Sequence, residues 1–276
     1  MRARFAILPV FFLCALSAAV TPVLPGAGDG KAALPAAKAG ETRGDAGVVR
    51  PEDSKCWAVA RLKYGGGGDW YAGPSMLVNL SKRLKSDLGL DACADEHQVA
   101  LLDGNLYDFP ILFMTGHGNV SFSEEERKIL REYLLRGGLL FADDNYGMDT
   151  SFRREMKVLF PNHPMKTLPV THPVFASHYK CPEGLPKIHE HDGKRATAYG
   201  IVVDGRTVVF YSYECDLGNG WEDPGTYSDP IELHEAALKM GVNVVAWFLQ
   251  GAAPATSAPL PPGAAPSSAA ATPAGP

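Results

Sequence analysis

The feature that most constrains the fold is an alternation, between residues 57 and 142, of near-continuous apolar runs with amphipathic segments. Phe109 to Thr115 and Leu139 to Ala142 carry almost no polar residue, as expected of strands covered on both faces. Trp57 to Tyr64 reads as another strand, closed by Gly65 to Gly68. Pro74 then suits a first helical turn, and Met76, Leu77, Leu80, Leu84 and Leu88 line one helical face. Ser123 with Glu126 three residues on makes a capping box. The helix it starts should bury Ile129, Leu130, Tyr133 and Leu134 and stop at Gly137-Gly138. A β-α-β-α-β order of this kind implies a parallel sheet.

The later sequence changes character. Ile201 to Val203 and Thr207 to Tyr211 flank Asp204-Gly205, a type I′ hairpin signal. Asp229 reads as the cap of a last helix, with Pro230 first, Glu232 third, and Leu238, Val242, Val245 and Leu249 as its core stripe. The fold class expected is α/β: a flavodoxin-like, mostly parallel sheet flanked by helices, with an antiparallel hairpin extension.

The ends of the chain are of another kind. Arg2 and Arg4, the apolar run Phe5 to Leu16, and Ser17 and Ala19 at the −3 and −1 places predict a signal peptide over residues 1–19. Residues 20–54 read as a flexible linker and residues 251–276 as a disordered tail rich in Ala and Pro. One α/β domain is left, over residues 55–250. Export to the periplasm or outside the cell is the expected destination. No other stretch reaches the length of a membrane helix, so no transmembrane segment is expected after cleavage. Loss of Arg2 and Arg4 takes the balance from 26 against 31 to 24 against 31, a formal charge of −7. Without a basic cluster, nucleic acid is not an expected partner. Once Cys14 is removed, Cys56, Cys93, Cys181 and Cys215 remain. Up to two disulfides in any of three pairings, or free buried thiols, are both open.

Ligands of open parallel sheets bind beyond the carboxyl ends of the strands, and the polar strings of this chain fall there. Asp69, Trp70 and Tyr71 follow the first strand, and His117 and Asn119 the next. Asp143, Asp144 and Asn145 follow the third, and Asp216, Trp221 and Glu222 the hairpin. Asp144, His117 and Asp216 are the catalytic candidates, and the others in these strings the ligand-binding ones. Adjacent residues of an extended segment face opposite ways. One of Asp143 and Asp144 can then point into the site while the other caps the following helix; a capping role without function is equally open. His172, His189 and His191 are the metal candidates, with zinc the ion they would suit; on a strand, His189 and His191 would share a face. The glycine run has neither the Lys-Ser/Thr of a Walker loop nor dinucleotide spacing, so no nucleotide cofactor is expected. It reads as a flexible loop that lets Trp70 pack closely. There is no Gly-x-Ser-x-Gly elbow, and Glu214 and Asp216 beside Cys215 would raise its thiol pKa.

Lys63-Tyr-Gly-Gly-Gly-Gly-Asp-Trp-Tyr71, Met114-Thr-Gly-His-Gly118, Gly137-Gly-Leu-Leu-Phe-Ala-Asp-Asp144, Phe152-Arg-Arg-Glu-Met156, Leu159-Phe-Pro161, His172-Pro173 and Asp216…Gly220-Trp221-Glu222 resemble the bacterial family "domain of unknown function 4159". The likeness spans nearly all of residues 56–250. That family looks like a branch of the class I glutamine-amidotransferase-like fold, which implies the same sheet and a site at the same edge. A true amidotransferase has a cysteine at the turn after the strand matching Leu139 to Ala142. Asp143, Asp144 and Asn145 stand there in this chain, so the resemblance implies no glutaminase.

Three functional expectations follow. The first is a binding module of the cell envelope, with Trp70, Tyr71, Trp221 and Tyr227 beside carboxylates. Its ligand would be a small molecule, a sugar or peptide, or an envelope protein. The second is a metal-assisted hydrolase in which Asp144, His117 or His172, and Asp216 or Glu222 hold an ion that activates water. The third is a purely structural domain of a larger complex.

Overall fold

The computed structural model describes residues 56–252. The segments expected as signal peptide and linker, and the expected tail beyond residue 252, lie outside the described residues. Seven strands and four helices follow one another as β1 (Val59–Lys63), α1 (Met76–Leu88), β2 (His97–Ala100), β3 (Ile111–Gly116), α2 (Glu124–Leu135), β4 (Leu139–Asp144), α3 (Asp149–Leu159), β5 (Lys166–Thr167), β6 (Thr197–Val203), β7 (Arg206–Tyr213) and α4 (Ile231–Ala252). They form one sheet in the order β2-β1-β3-β4-β7-β6-β5. Strands β2, β1, β3, β4 and β7 are parallel, and β6 and β5 extend the sheet antiparallel. Among the described residues no helix is long and apolar enough to cross a membrane.

The period of two along each strand sorts its side chains between two cores. Leu112, Met114, Leu140, Ala142, Val209 and Tyr211 face α2 and α3, which bring Leu130, Tyr133, Leu134, Phe152, Met156 and Leu159. Ile111, Phe113, Leu139, Phe141 and Phe210 face α1 and α4, which bring Met76, Leu77, Leu80, Leu84, Ala237, Met240, Val242 and Val245. Both faces of β3 and β4 are thus covered, which is why those strands read as unbroken apolar runs.

The local signals hold at several element ends. Ser123 accepts from the Glu126 backbone N–H at 3.2 Å, and Glu126 returns the bond to the Ser123 N–H at 2.7 Å. Asp204 (φ 50°) and Gly205 (φ 80°) both take the positive φ that a type I′ turn requires. Strand β4 runs two residues further than its apolar stretch, so Asp143 and Asp144 are its last two positions. Helix α4 continues to Ala252, two residues into the segment expected as tail. Cys56 and Cys93 are joined as a disulfide, while Cys181 and Cys215 are free.

The glycine loop after β1 departs from expectation, because it is pinned. Gly65 bridges to Ser121, and Gly68 N–H donates to Asn119 O at 3.0 Å. Gly66 has φ 105°, and a Cβ there would lie 2.7 Å from the Ser121 nitrogen; only glycine serves. Beyond it, the buried Arg61 donates to the carbonyls of Trp70, Ala72 and Gly73 while its other edge meets Glu96. A guanidinium spends its fan of donors this way when loop carbonyls need a fixed partner.

Candidate functional site

Two carboxylates end β4, and their side chains do face opposite ways. Asp143 points to the α1 and α4 side. It accepts from Ser212 Oγ at 2.5 Å and from the backbone N–H groups of Leu217 and Gly218 at 3.1 and 2.7 Å. Burial nevertheless pushes its pKa up to about 7; those three donors pull the other way, and Asp216 adds to the rise. Asp144 points to the α2 and α3 side, where Oδ1 accepts from Met148 N–H at 3.0 Å and Oδ2 from Tyr211 Oη at 3.2 Å. Burial raises it to about 6. Asp144 thus ties down the turn that enters α3, and Asp143 ties down the segment that leaves β7. Both carboxylates are engaged by their own scaffold, as the capping alternative expects.

The segment that Asp143 holds is strained. Glu214 and Asp216 adopt φ of 56° and 53°, and Tyr146, across the edge after β4, has φ 85°. Non-glycine residues in this region cost on the order of 1–3 kcal/mol each and gather where function requires them. The kink at residues 214–216 turns the Asp216 carboxylate inward, 1% exposed. There Oδ2 accepts from His189 Nδ1 and from His191 Nε2, both at 2.8 Å. His189 Nε2 reaches Asp229 Oδ2 at 3.0 Å, so the ring lies between two carboxylates. Asn219 Nδ2 also approaches Asp216 at 3.4 Å, and Asn145 Nδ2 donates to Asn219 Oδ1 at 3.1 Å. Tyr146 stacks on His191 with ring centroids 4.7 Å apart, and Tyr227 meets His189 edge-on at 5.0 Å. Both tyrosines are half-exposed.

A second polar pair stands on the neighbouring loops. Asp69 Oδ2 accepts from His117 Nδ1 at 3.0 Å, and its other oxygen accepts the His117 backbone N–H. Both side chains are solvent-accessible. Asn119 braces the same turn through Gly66 O, 3.0 Å away. The turn after β4 is close by, since a Cβ at Gly147 would lie 3.7 Å from Gly118 N.

Among the described residues, the buried side-chain polar atoms without a partner are Thr115 Oγ1, Asn145 Oδ1, Asp216 Oδ1, Glu222 Oε1 and His234 Nε2. The first four belong to the segments that end or follow β3, β4 and β7. Leaving such an atom unpaired costs about 1–3 kcal/mol. Three of the four are pure acceptors, so the edge as a whole is short of donors.

The remaining candidates fall out differently. Trp221, expected as a ligand platform, is fully buried, donates Nε1–H to Ala237 O at 2.9 Å, and packs on Phe113 and Phe141. It is a core residue and offers no ring face. Glu222 is buried too, with its other oxygen bound to the Ser75 hydroxyl. Trp70 lies partly buried against the core, edge-on to the exposed Tyr71. His172 caps a short helical turn by accepting from Val174 N–H and lies against Trp247 of α4. It does not join His189 and His191 as a metal set. Those two do come together, on a loop instead of a strand. Each offers a nitrogen to the same oxygen of Asp216 at 2.8 Å, but with it they do not form a set of ligand atoms mutually within 4.8 Å. Among the described residues, the three side chains whose ligand atoms all lie within 4.8 Å of one another are Cys56, Cys93 and His97. Cys215 is buried with its thiol on Pro186 O, and burial, then Asp143 and Asp216, raise its pKa well above the ordinary value.

Asp229 was missed as a site residue. Its carboxylate serves His189, whereas the Asp-Pro string signals only a helix start. A groove of about 300 Å³ also opens between α1 and α4, bordered by Asn79, Lys82, Arg83, His234 and Leu238, among other residues. Of the candidates only Trp221 and Glu222 touch it, and Arg83 is already engaged by Asp87 and Glu235. The polar clusters described above lie at the strand ends instead.

A family model described as "Domain of unknown function (DUF4159)" matches residues 58–249. The chain belongs to the DUF4159 family. No curated protein matches it. Within this DUF4159 domain, Asp69, His117, Asp143, Asp144 and Asp216 all stand on the strings that carry the family likeness, and all lie at the strand-end edge described above.

Proposed function

We propose that this DUF4159 domain is an exported binding module of the cell envelope that takes a saccharide at the carboxyl-terminal edge of its sheet. The observation that carries the reading is the pairing of unpartnered buried acceptors, Asn145 Oδ1 and Asp216 Oδ1, with the half-exposed rings of Tyr146 and Tyr227 beside them. A ligand rich in hydroxyl donors with an apolar ring face matches both features. The strand order supports the flavodoxin-like, amidotransferase-like reading of the scaffold: numbered among themselves, the parallel strands run 2-1-3-4-5. The Cys56–Cys93 disulfide supports an oxidising compartment, as does the basic and apolar start of the sequence.

The metal-assisted hydrolase is the weaker alternative. It needs ligand atoms that converge on one point, and His189 and His191 are spent as donors to the same Asp216 oxygen.

Titration calorimetry of the purified chain against neutral and amino-sugar oligosaccharides tests the proposal. Binding is expected for at least one oligosaccharide, weakened tenfold or more by Tyr146→Ala, a surface change that leaves the circular dichroism spectrum intact. Asp216→Ala is expected to weaken it further. Absence of binding across the panel, or affinities that ignore both variants, would overturn it.

A further inference from the structure

The disulfide between Cys56 and Cys93 has a third neighbour. His97 opens β2, and its ring offers a nitrogen within 4.8 Å of both sulfurs. The backbone holds this trio independently of the S–S bond. Trp57 and Ala92 form an isolated parallel bridge, with Trp57 N–H to Asp91 O at 2.7 Å and Cys93 N–H to Trp57 O at 2.9 Å. The Cα atoms of the two cysteines are 5.0 Å apart. His97 pairs in register with Ala60 of β1, and its ring rests against Phe109 at 5.4 Å. Cleaving the disulfide therefore leaves two sulfurs and an imidazole on a fixed frame.

Tetrahedral zinc places its ligands about 2.3 Å away for sulfur and about 2.0–2.1 Å for nitrogen. Neighbouring donors then stand roughly 3.5–3.8 Å apart. Relaxation of the two sulfurs from bonded to non-bonded separation brings the trio into that range. Cys93 is buried, while Cys56 and His97 are partly open, so a fourth position on the ion faces solvent. Three protein ligands with one open position is the pattern of a reactive zinc site, whereas structural sites close all four.

We propose that the reduced form of this domain binds one zinc ion through Cys56, Cys93 and His97, so that disulfide and metal are alternative states of one site. A dithiol reductant supplies two electrons and two protons, the S–S bond breaks, and two thiols form while the reductant becomes its own disulfide. Zinc binding then displaces both thiol protons to solvent, and His97 coordinates through a neutral ring nitrogen. Reoxidation by a disulfide oxidant reverses the sequence: it takes two electrons from the two thiolates and two protons from solvent, becomes a dithiol, and the re-formed Cys56–Cys93 bond releases the ion. The two free cysteines stand apart from this state: the Cys215 thiol donates to Pro186 O, and Cys181 Sγ accepts from Asn243 Nδ2.

Cobalt(II) substitution tests the proposal, because thiolate-to-cobalt charge transfer absorbs in the near ultraviolet and reports sulfur ligation directly. The full chain, reduced with a phosphine-free dithiol and exchanged into anaerobic buffer, is titrated with cobalt and then with zinc. One equivalent of cobalt with charge-transfer bands, bleached by zinc, is expected. Cys181→Ser leaves the bands unchanged, Cys93→Ser abolishes them, and His97→Ala weakens binding at least tenfold. The oxidised chain, which needs no substitution and retains its fold, gives no bands. Bands that persist in the oxidised chain or in Cys93→Ser, titration of the reduced wild type without bands, or a His97→Ala affinity equal to wild type would each overturn it.

Discussion

At the scale of single residues, the site is governed by carboxylates that the fold takes out of water. Asp143 is the clearest case, raised by burial to about 7 from an ordinary 3.8. In the unfolded chain this group ionises near 4, whereas in the fold it holds its proton to about 7. Folding takes up a proton across that window, so the stabilisation is fully present below about pH 4 and is lost as pH rises towards 7. Asp144, raised to about 6, acts with the same sign. Asp143→Asn cannot titrate and loses one of the three accepted bonds, so it is less stable than wild type at pH 5. The wild-type advantage should shrink between pH 5 and pH 8 by an amount on the order of a few kcal/mol. Urea denaturation of both proteins at the two pH values reads it, and a gap that does not change with pH contradicts the assignment. In the sequence these two aspartates show their opposite facing, which follows from strand geometry. That both are consumed as pins is not visible there, because the donors come from Ser212, Leu217 and Gly218, some seventy positions away.

Among the elements, legibility tracks burial. Strands β3 and β4 are covered on both faces and were readable as apolar runs. Strand β2 was not, since His97, Gln98, Val99 and Ala100 form a short edge strand with one fully buried side chain. Helix α3 is also hard to read, because its buried face includes Glu155, paired with Arg127 and Arg154. Trp221 shows the reverse error: an aromatic beside carboxylates reads as a platform, yet it packs beneath α4 as core. Gly66 couples the loop after β1 to the loop after β3. Gly66→Ala forces a Cβ against the 119–121 backbone at positive φ and should destabilise the fold by about 1–3 kcal/mol. It should also displace His117 and Asn119, and so weaken ligand binding more than a distant variant of equal stability cost. Denaturant midpoints with matched binding titrations check this, and a change in midpoint without a change in affinity removes this loop from the site.

For the whole molecule, the sheet order brings the exits of β1, β3, β4 and β7 to one edge, which the strand-end rule anticipates. What it does not anticipate is the partnership across that edge. His189 and His191 come from the long connection after β5, Asp216 from the exit of β7, and Asp229 from the approach to α4. No spacing rule joins positions 27 and 40 residues apart. The central claim is that this edge, and not the groove between α1 and α4, receives the ligand. Nitrogen–proton correlation spectra of the labelled chain, recorded as the tightest oligosaccharide is added, test it directly. Shifts concentrated in residues 66–71, 116–119, 145–148, 187–192 and 214–229 are predicted. Shifts centred instead on Lys82, Arg83, Glu235 and Leu238 would contradict it.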